Sequence, residues 1–384
     1  MDVLVALICL AVWVYLLCAR GGFWLCRERD DARVPLRDHW PPVTAVIPAR
    51  DEAGFIGRAV ASLMAQDYRG RLSVVVVDDG SSDGTALEAR RAAGDRPDRP
   101  LTVIAGSAPP AGWTGKLWAL RQGIEATAAG AQRPQYLLLT DADIAQAPDT
   151  VAWLVAQAAR GPFVLTSLMA KLRCDSLAER LHVPAFVYFF QMLFPFAWVA
   201  NPQAKTAAAA GGCMLVDADA LRQAGGIESI RHALIDDCSL ARRMKQCGPI
   251  WLGLTERVRS LRPYEGFNDV RQMIARSAYA QLGFSPLLLA GAVAGMALVF
   301  IAPALLAVLA SGFAQILGAV AWLAMALSLQ PMLRLYRLSP LWGLALPLIA
   351  LLYAFYTLDS AYQHWRGRGG RWKGRVHLGA TSLP

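Results

Sequence analysis

The sequence predicts an α/β fold: a mostly parallel, Rossmann-like sheet covered by helices, carried between transmembrane helices at its N-terminal and C-terminal ends. Three observations predict it. Apolar, β-branched runs alternate with helical patterns from Val43 to Thr140, the rhythm of a parallel sheet covered on both faces. Acidic and glycine-rich segments follow the carboxyl ends of those runs, where open α/β sheets bind their ligands. Hydrophobic residues make up 55% of the 384 and charged ones 17%, and the apolar excess is concentrated at the two ends.

The ends come first. Val3 to Cys18 is nearly unbroken, and Pro286 to Leu358 holds three further apolar stretches. Each is about long enough to cross ~30 Å of hydrocarbon at ~1.5 Å per residue. Asp2 and the lack of a basic leader argue against a cleaved secretory signal. Arg20, Arg27, Arg29 and Arg33 follow the first run, so the positive-inside rule keeps the central region in the cytoplasm. Four crossings would then leave the C-terminus outside, whereas Arg366, Arg368, Arg371, Lys373 and Arg375 favour inside. Arg334 and Arg337 fit an inside loop, so Leu341 to Leu358 is expected not to cross fully. The boundaries read from the chain are an anchor at 1–25, a catalytic domain at 40–280, a membrane region at 284–362 and a basic tail at 363–384.

Between the ends, Asp30 to Pro42 is a polar linker. Val43 to Pro48, Leu72 to Val77, Leu101 to Ala105 and Tyr136 to Thr140 read as strands. Ala53 to Ala65, Gly84 to Ala93 and Lys116 to Ala128 read as the intervening helices. Leu181 to Ala200 is apolar and aromatic but contains Pro184 and Pro195. A crossing there would separate two acidic motifs, so it is expected to lie in the membrane interface, with a buried core helix as the alternative. The seven cysteines show no C-x-x-C spacing, which argues against a zinc site or a disulfide framework. The net charge of +9 gathers at membrane boundaries, pointing to anionic headgroups and away from nucleic acid.

Five motifs carry the chemistry. The fourth strand runs into Thr140-Asp141-Ala142-Asp143, two carboxylates one residue apart, an oxygen donor set for Mg²⁺ or Mn²⁺ bridging to substrate phosphates. Such pairs also occur as solvated strand ends or helix caps. Ile47-Pro48-Ala49-Arg50-Asp51-Glu52 closes the first strand. The second runs into Asp78-Asp79-Gly80-Ser81-Ser82-Asp83-Gly84-Thr85; Asp79 is the candidate for accepting nucleobase hydrogen bonds, and Asp83 is expected to cap the next helix. Gly112-Trp113-Thr114-Gly115-Lys116 opens a helix and offers a lysine to a diphosphate. It is not a P-loop, because Pro110 stands where the first glycine is required and Leu117 where Ser or Thr is. Asp236-Asp237 begins a later helix and can supply a general base, or merely favour the helix N-terminus.

These motifs, in this order from Val43 to Leu240, resemble family 2 glycosyltransferases of the GT-A fold. Gly-Trp-Thr-Gly-Lys-Leu-Trp-Ala-Leu, Thr-Asp-Ala-Asp-Ile and Arg-Ser-Ala-Tyr-Ala-Gln-Leu, with the membrane segments, resemble hopene-associated glycosyltransferases of the HpnB type, bacterial proteins linked to hopanoid lipids. The resemblance implies that Asp79 contacts the nucleobase, that Pro48, Arg50 and Glu52 shape the nucleotide pocket, and that Lys116 meets the diphosphate or ribose. It places Asp141 by the ribose and sugar, Asp143 on a divalent metal (Mg²⁺ or Mn²⁺), Asp237 as catalytic base beside Asp236, and Arg276 against the leaving diphosphate. Two departures matter. Asp236-Asp237 replaces the usual Glu-Asp pair, and Met273-x-x-Arg276-Ser277 replaces Gln-x-x-Arg-Trp, which argues against polymer synthesis. The expected activity is transfer from a nucleotide sugar, a UDP-sugar, to a membrane lipid hydroxyl at the bacterial inner membrane, with no nucleic-acid partner. The alternatives are a polyprenyl-phosphate sugar transferase or a non-catalytic membrane scaffold.

Overall fold

The structure is a computed structural model and describes residues 1–31, 33, 38–128 and 133–367, with the backbone of 371–372 and 375–376. Part of the expected linker (Ala32 and 34–37) and most of the basic tail, Arg368 and Lys373 included, lie outside the described residues.

In chain order, α1 (Asp2–Cys18) is followed by β1 (Val43–Ala49), α2 (Ala53–Met64), β2 (Leu72–Asp78), α3 (Thr85–Ala93), β3 (Leu101–Ala105), α4 (Gly115–Ala128), β4 (Tyr136–Thr140) and β5 (Ile144–Gln146). Then come α5 (Thr150–Arg160), β6 (Leu165–Lys171), α6 (Leu177–Leu193), α7 (Phe196–Ala200), β7 (Cys213–Asp217), α8 (Ala218–Gln223), α9 (Asp236–Cys247), β8 (Ile250–Ser260) and α10 (Phe267–Gln281). Among the described residues the chain divides into two compact units, one within 28–173 and 198–262, the other within 1–27, 174–197 and 263–367.

The first unit is built on an eight-stranded sheet in the order β3-β2-β1-β4-β7-β6-β8-β5. β3, β2, β1 and β4 run parallel. β7 is antiparallel to both neighbours, β6 and β8 run together, and β5 is antiparallel to β8. Six strands therefore share one direction and two oppose it, a mixed α/β Rossmann-like GT-A sheet of the kind the strand-helix alternation predicts.

The sheet is covered on both faces, which is why β1 is buried at all seven positions and is apolar except for Thr44. Val74 and Val76 of β2 join Ile47, Ile56, Val60 and Leu63 on the α2 side. Val75 and Val77 point the other way, to Ala119 of α4. Gly123 permits that second contact: a Cβ there would sit 2.5 Å from Val46 Cγ1 and 2.9 Å from Val77 Cγ2.

In the second unit, Pro286–Leu309, Gly312–Leu335 and Pro340–Trp365 are helices long and apolar enough to cross a membrane. The last is 26 residues long, so the expectation that Leu341 to Leu358 stops short is not supported by its length. α1 is the shorter one: its 17 residues rise about 26 Å, less than the ~30 Å of a hydrocarbon core. It packs on this bundle through Trp13, whose Nε1 donates to the Val299 carbonyl at 2.8 Å.

α6, which overlaps the stretch read as interfacial, starts with a capping box between Ser176 and Glu179 and tolerates Pro184. His182, Tyr188 and Gln191 are buried. Tyr188 Oη and Ser328 Oγ share a hydrogen bond of 2.6 Å, and Tyr353 Oη donates to the His182 carbonyl at 2.9 Å. One side of α6 is thus buried against other helices of its unit. α10 belongs to this unit too, held by Arg271–Asp359 at 2.6 Å.

Candidate active site

The motifs that close β1 and β2 form one structure, because the two strands are parallel and in register: Ala49 lies opposite Asp78, and Asp79 N donates to the Ala49 carbonyl at 2.8 Å. Asp51 takes a left-handed backbone (φ 49°) and accepts from Ser82 N at 2.9 Å, while its own N donates to Ser81 Oγ at 3.0 Å. Glu52 N donates to Thr85 Oγ1 at 2.8 Å. Asp83 accepts from Thr85 N at 3.0 Å and from Ala53 N at 2.9 Å, satisfying donors at the starts of both α3 and α2.

Arg50 Nη1 donates to the Asp79 carbonyl at 2.6 Å and stands 3.6 Å from its carboxylate. Asp79 is 2% exposed. Pro48 is buried in β1 opposite Val77.

Lys116 begins α4 behind Thr114, whose Oγ1 accepts from Leu117 N at 3.3 Å. Its Nζ lies 2.9 Å from Asp141 Oδ1 and 3.1 Å from Asp236 Oδ2. Residues about 25 and 120 positions away are thereby drawn to one point, because β4 ends and α4 and α9 begin on the same side of the sheet. Burial would lower the lysine's proton affinity, but Asp141 and Asp236 reverse this and hold it charged, well above the ordinary lysine range. Asp141 is pushed above the usual carboxylate range by desolvation, then by Asp143 and Asp236, against the pull of Lys116.

Asp237 is adjacent to this triad. Its Oδ2 accepts from Gly211 N at 3.0 Å and its Oδ1 from Cys238 N at 2.7 Å. Desolvation first, and Asp236 second, push its carboxyl up to about 6. That range suits a general base near neutral pH.

Two residues that sequence reasoning missed complete the site. Gly211 ends the run Ala207-Ala208-Ala209-Ala210-Gly211, and a Cβ on it would lie 3.4 Å from Lys116 Nζ and 3.5 Å from Asp237 Oδ2. The four-alanine run followed by two glycines was the available signal: only small side chains let backbone pass that close to charged groups. Arg262, just past β8, carried no motif. Its Nε donates to Asp143 Oδ2 at 2.8 Å and its Nη2 to both Glu52 carboxylate oxygens at 2.7 Å. Glu52 therefore contacts an arginine, where the resemblance implies only a nucleotide pocket. Arg276 is exposed on α10 in the other unit.

Five carboxylates (Glu52, Asp141, Asp143, Asp236, Asp237) meet two cationic side chains, Lys116 and Arg262. Asp236 Oδ2 is buried without a well-formed hydrogen bond. Excess negative charge and an all-oxygen donor set fit a hard divalent cation. Among the described residues no three acidic, histidine or cysteine side chains converge as a closed cage. The fit is therefore of the kind in which one or two carboxylates hold the cation and substrate phosphates supply the rest.

Comparison with known proteins identifies the class. Residues 41–279 match the family described as glycosyltransferase like family 2, and the chain belongs to that family. An N-acetylglucosaminyltransferase of Mesorhizobium japonicum is 44% identical over 54 residues, which is 14% of this chain and 13% of that protein. A mannosyltransferase of Pyrobaculum calidifontis, solved with GDP-mannose and Mn²⁺, shares the fold with a TM-score of 0.57 at 22% identity, covering 95% of this chain and 99% of its own. Glucosyl-3-phosphoglycerate synthase of Mycobacterium tuberculosis, solved with Mn²⁺ and UDP-glucose, is 19% identical over 63% of this chain and 79% of its own, with a TM-score of 0.39.

Proposed function

We propose that the protein is a metal-dependent inverting glycosyltransferase of the bacterial inner membrane. Its multi-pass helical unit keeps the catalytic unit on the cytoplasmic side. It moves a sugar from a nucleotide donor, a UDP-sugar, to the hydroxyl of a membrane lipid, and the resemblance to hopene-associated enzymes names a hopanoid as the acceptor. The observation that carries this reading is the cluster at Lys116, where Asp141 and Asp236 share one ammonium group and Asp237, pushed up to about 6, stands next to them.

In this reading Arg50 and Asp79 receive the nucleobase, and Lys116 meets the diphosphate or ribose with Asp141 beside the sugar. Asp143 would hold Mg²⁺ or Mn²⁺, which when bound neutralises charge on the departing diphosphate. The acceptor oxygen attacks the anomeric carbon from the face opposite the diphosphate. Asp237 takes the hydroxyl proton as the new C–O bond forms, and the electron pair of the breaking C–O bond leaves with the diphosphate. Gly211 N and Cys238 N orient the Asp237 carboxylate for this step. A lipid hydroxyl stays at the bilayer surface, which explains why a transferase for it would be membrane-bound.

The test is transfer of radiolabelled sugar from a UDP-sugar to membrane lipid by the purified full chain. Asp237→Asn should bind donor normally and lose ~10²–10⁴-fold in turnover, the usual contribution of a general base. Near-normal transfer by that variant would remove Asp237 from the chemistry. A product hydrolysed by mild acid would identify the acceptor as a lipid phosphate.

A further inference from the structure

The geometry points to Arg262 as an exchangeable cation of the donor site: it holds Asp143 while no metal is bound, and swings to the donor diphosphate when the metal takes Asp143. The inference rests on the glycosyltransferase reading and adds a residue that reading does not use.

Arg262 is set beside Asp143 by the backbone. Ile144 of β5 pairs with Ser260 of β8, and Leu261 N donates to the Asp143 carbonyl at 2.8 Å. The next residue therefore starts at the carboxylate that ends the Asp-x-Asp motif. Its guanidinium holds Glu52 through two bonds of 2.7 Å and Asp143 through one of 2.8 Å, and lies 4.8 Å from the Phe55 ring centroid.

These two attachments are unequal. Glu52 is 8% exposed and gripped at both oxygens by one nitrogen, and the adjoining ring supports the guanidinium plane. Asp143 is held through a single oxygen, Oδ2. A divalent cation reaching Asp143 competes for that oxygen with twice the charge. The Glu52 anchor then keeps the freed guanidinium within reach of the incoming diphosphate, whose geometry an arginine fork matches. Glu52 is accordingly a positioning residue for Arg262. The device also keeps Asp143 aimed when no donor is present.

The experiment uses the intact chain in detergent, with Mn²⁺ alone as the first probe and UDP or GDP with Mg²⁺ as the second. Arg262→Met should bind Mn²⁺ alone about tenfold or more tightly, since a competing charge-assisted contact is gone, yet bind nucleoside diphosphate about tenfold or more weakly. Arg262→Lys, which keeps the charge but loses the fork, should fall between wild type and Arg262→Met on both measures. Glu52→Gln should weaken diphosphate binding without tightening Mn²⁺, because Arg262 then rests on Asp143 alone. Unchanged or weaker Mn²⁺ binding by Arg262→Met, with a thermal midpoint near wild type, would overturn the exchange; so would unchanged Mn²⁺ and diphosphate binding in Arg262→Lys. If no variant and not the wild type binds nucleoside diphosphate, the glycosyltransferase reading itself fails, whereas a Mn²⁺ shift judges Arg262 independently.

Discussion

Asp237 sits between opposing demands. Two backbone N–H groups favour its charged form, while burial and the neighbouring Asp236 disfavour it, and the balance lies at about 6. The base works only when ionised, so kcat/KM should fall as pH drops through about 6, and that limb should vanish in Asp237→Asn. The sign for stability is the reverse. A folded-state value above the ~3.9 of an unfolded aspartate means the native state binds the proton more tightly, so this residue's contribution to stability grows as pH falls from about 6 toward ~4. Thermal midpoints compared between wild type and Asp237→Asn across that window would check it. At the adjoining position, Gly211→Ala places a methyl 3.4 Å from Lys116 Nζ and 3.5 Å from Asp237 Oδ2. The fold can tolerate that contact, so the expected loss is in turnover more than in thermal stability, measured on the same sample.

At the level of elements, the helices that present the site depend on a few tight choices. Gly123→Ala drives a methyl to 2.5 Å from Val46 Cγ1, and the overpacking should cost about 1–3 kcal/mol in chemical denaturation by lifting α4 off β1 and β2. Because α4 carries Lys116, activity should fall with it. Asp83→Ala removes the carboxylate that serves the starts of α2 and α3, with an expected cost of about 1 kcal/mol. Burial raises this carboxyl, but its hydrogen bonds to Thr85 and Ala53 outweigh that and hold it below the usual range. Its stabilisation is therefore present above the unfolded-chain value and lost as pH falls through the lower folded one.

For the molecule as a whole, the lipid acceptor proposed above can be tested on the helical unit. Phe190 is half-buried, with Phe194 at 5.1 Å and Phe196 at 6.3 Å between ring centroids. Phe190→Ser should impair transfer to lipid far more than nucleotide binding if this aromatic stretch admits the acceptor. Equal losses in both would remove it from that role, and paired transfer and binding assays on one preparation would decide.

The strands and helices up to Thr140 were legible because a sheet covered on both faces demands largely apolar runs, and Val43–Ala49 and Leu72–Asp78 are interrupted only by Thr44 and Ser73 before the terminal Asp78. The acidic motifs were legible because chemistry concentrates charge at strand ends. The reversed strands β7 and β5 had no such signature, since a short apolar run does not announce its direction. The sequence by itself determined the fold class, the family and the order of the acidic motifs, because periodicity and motif spacing are local properties. Only the tertiary structure decided that Lys116 joins Asp141 to Asp236, that Arg262 lies against Asp143 and Glu52, and that α6 is buried on one side. Contacts between residues a hundred positions apart depend on strand order and register, and neither is written in any one segment of the chain.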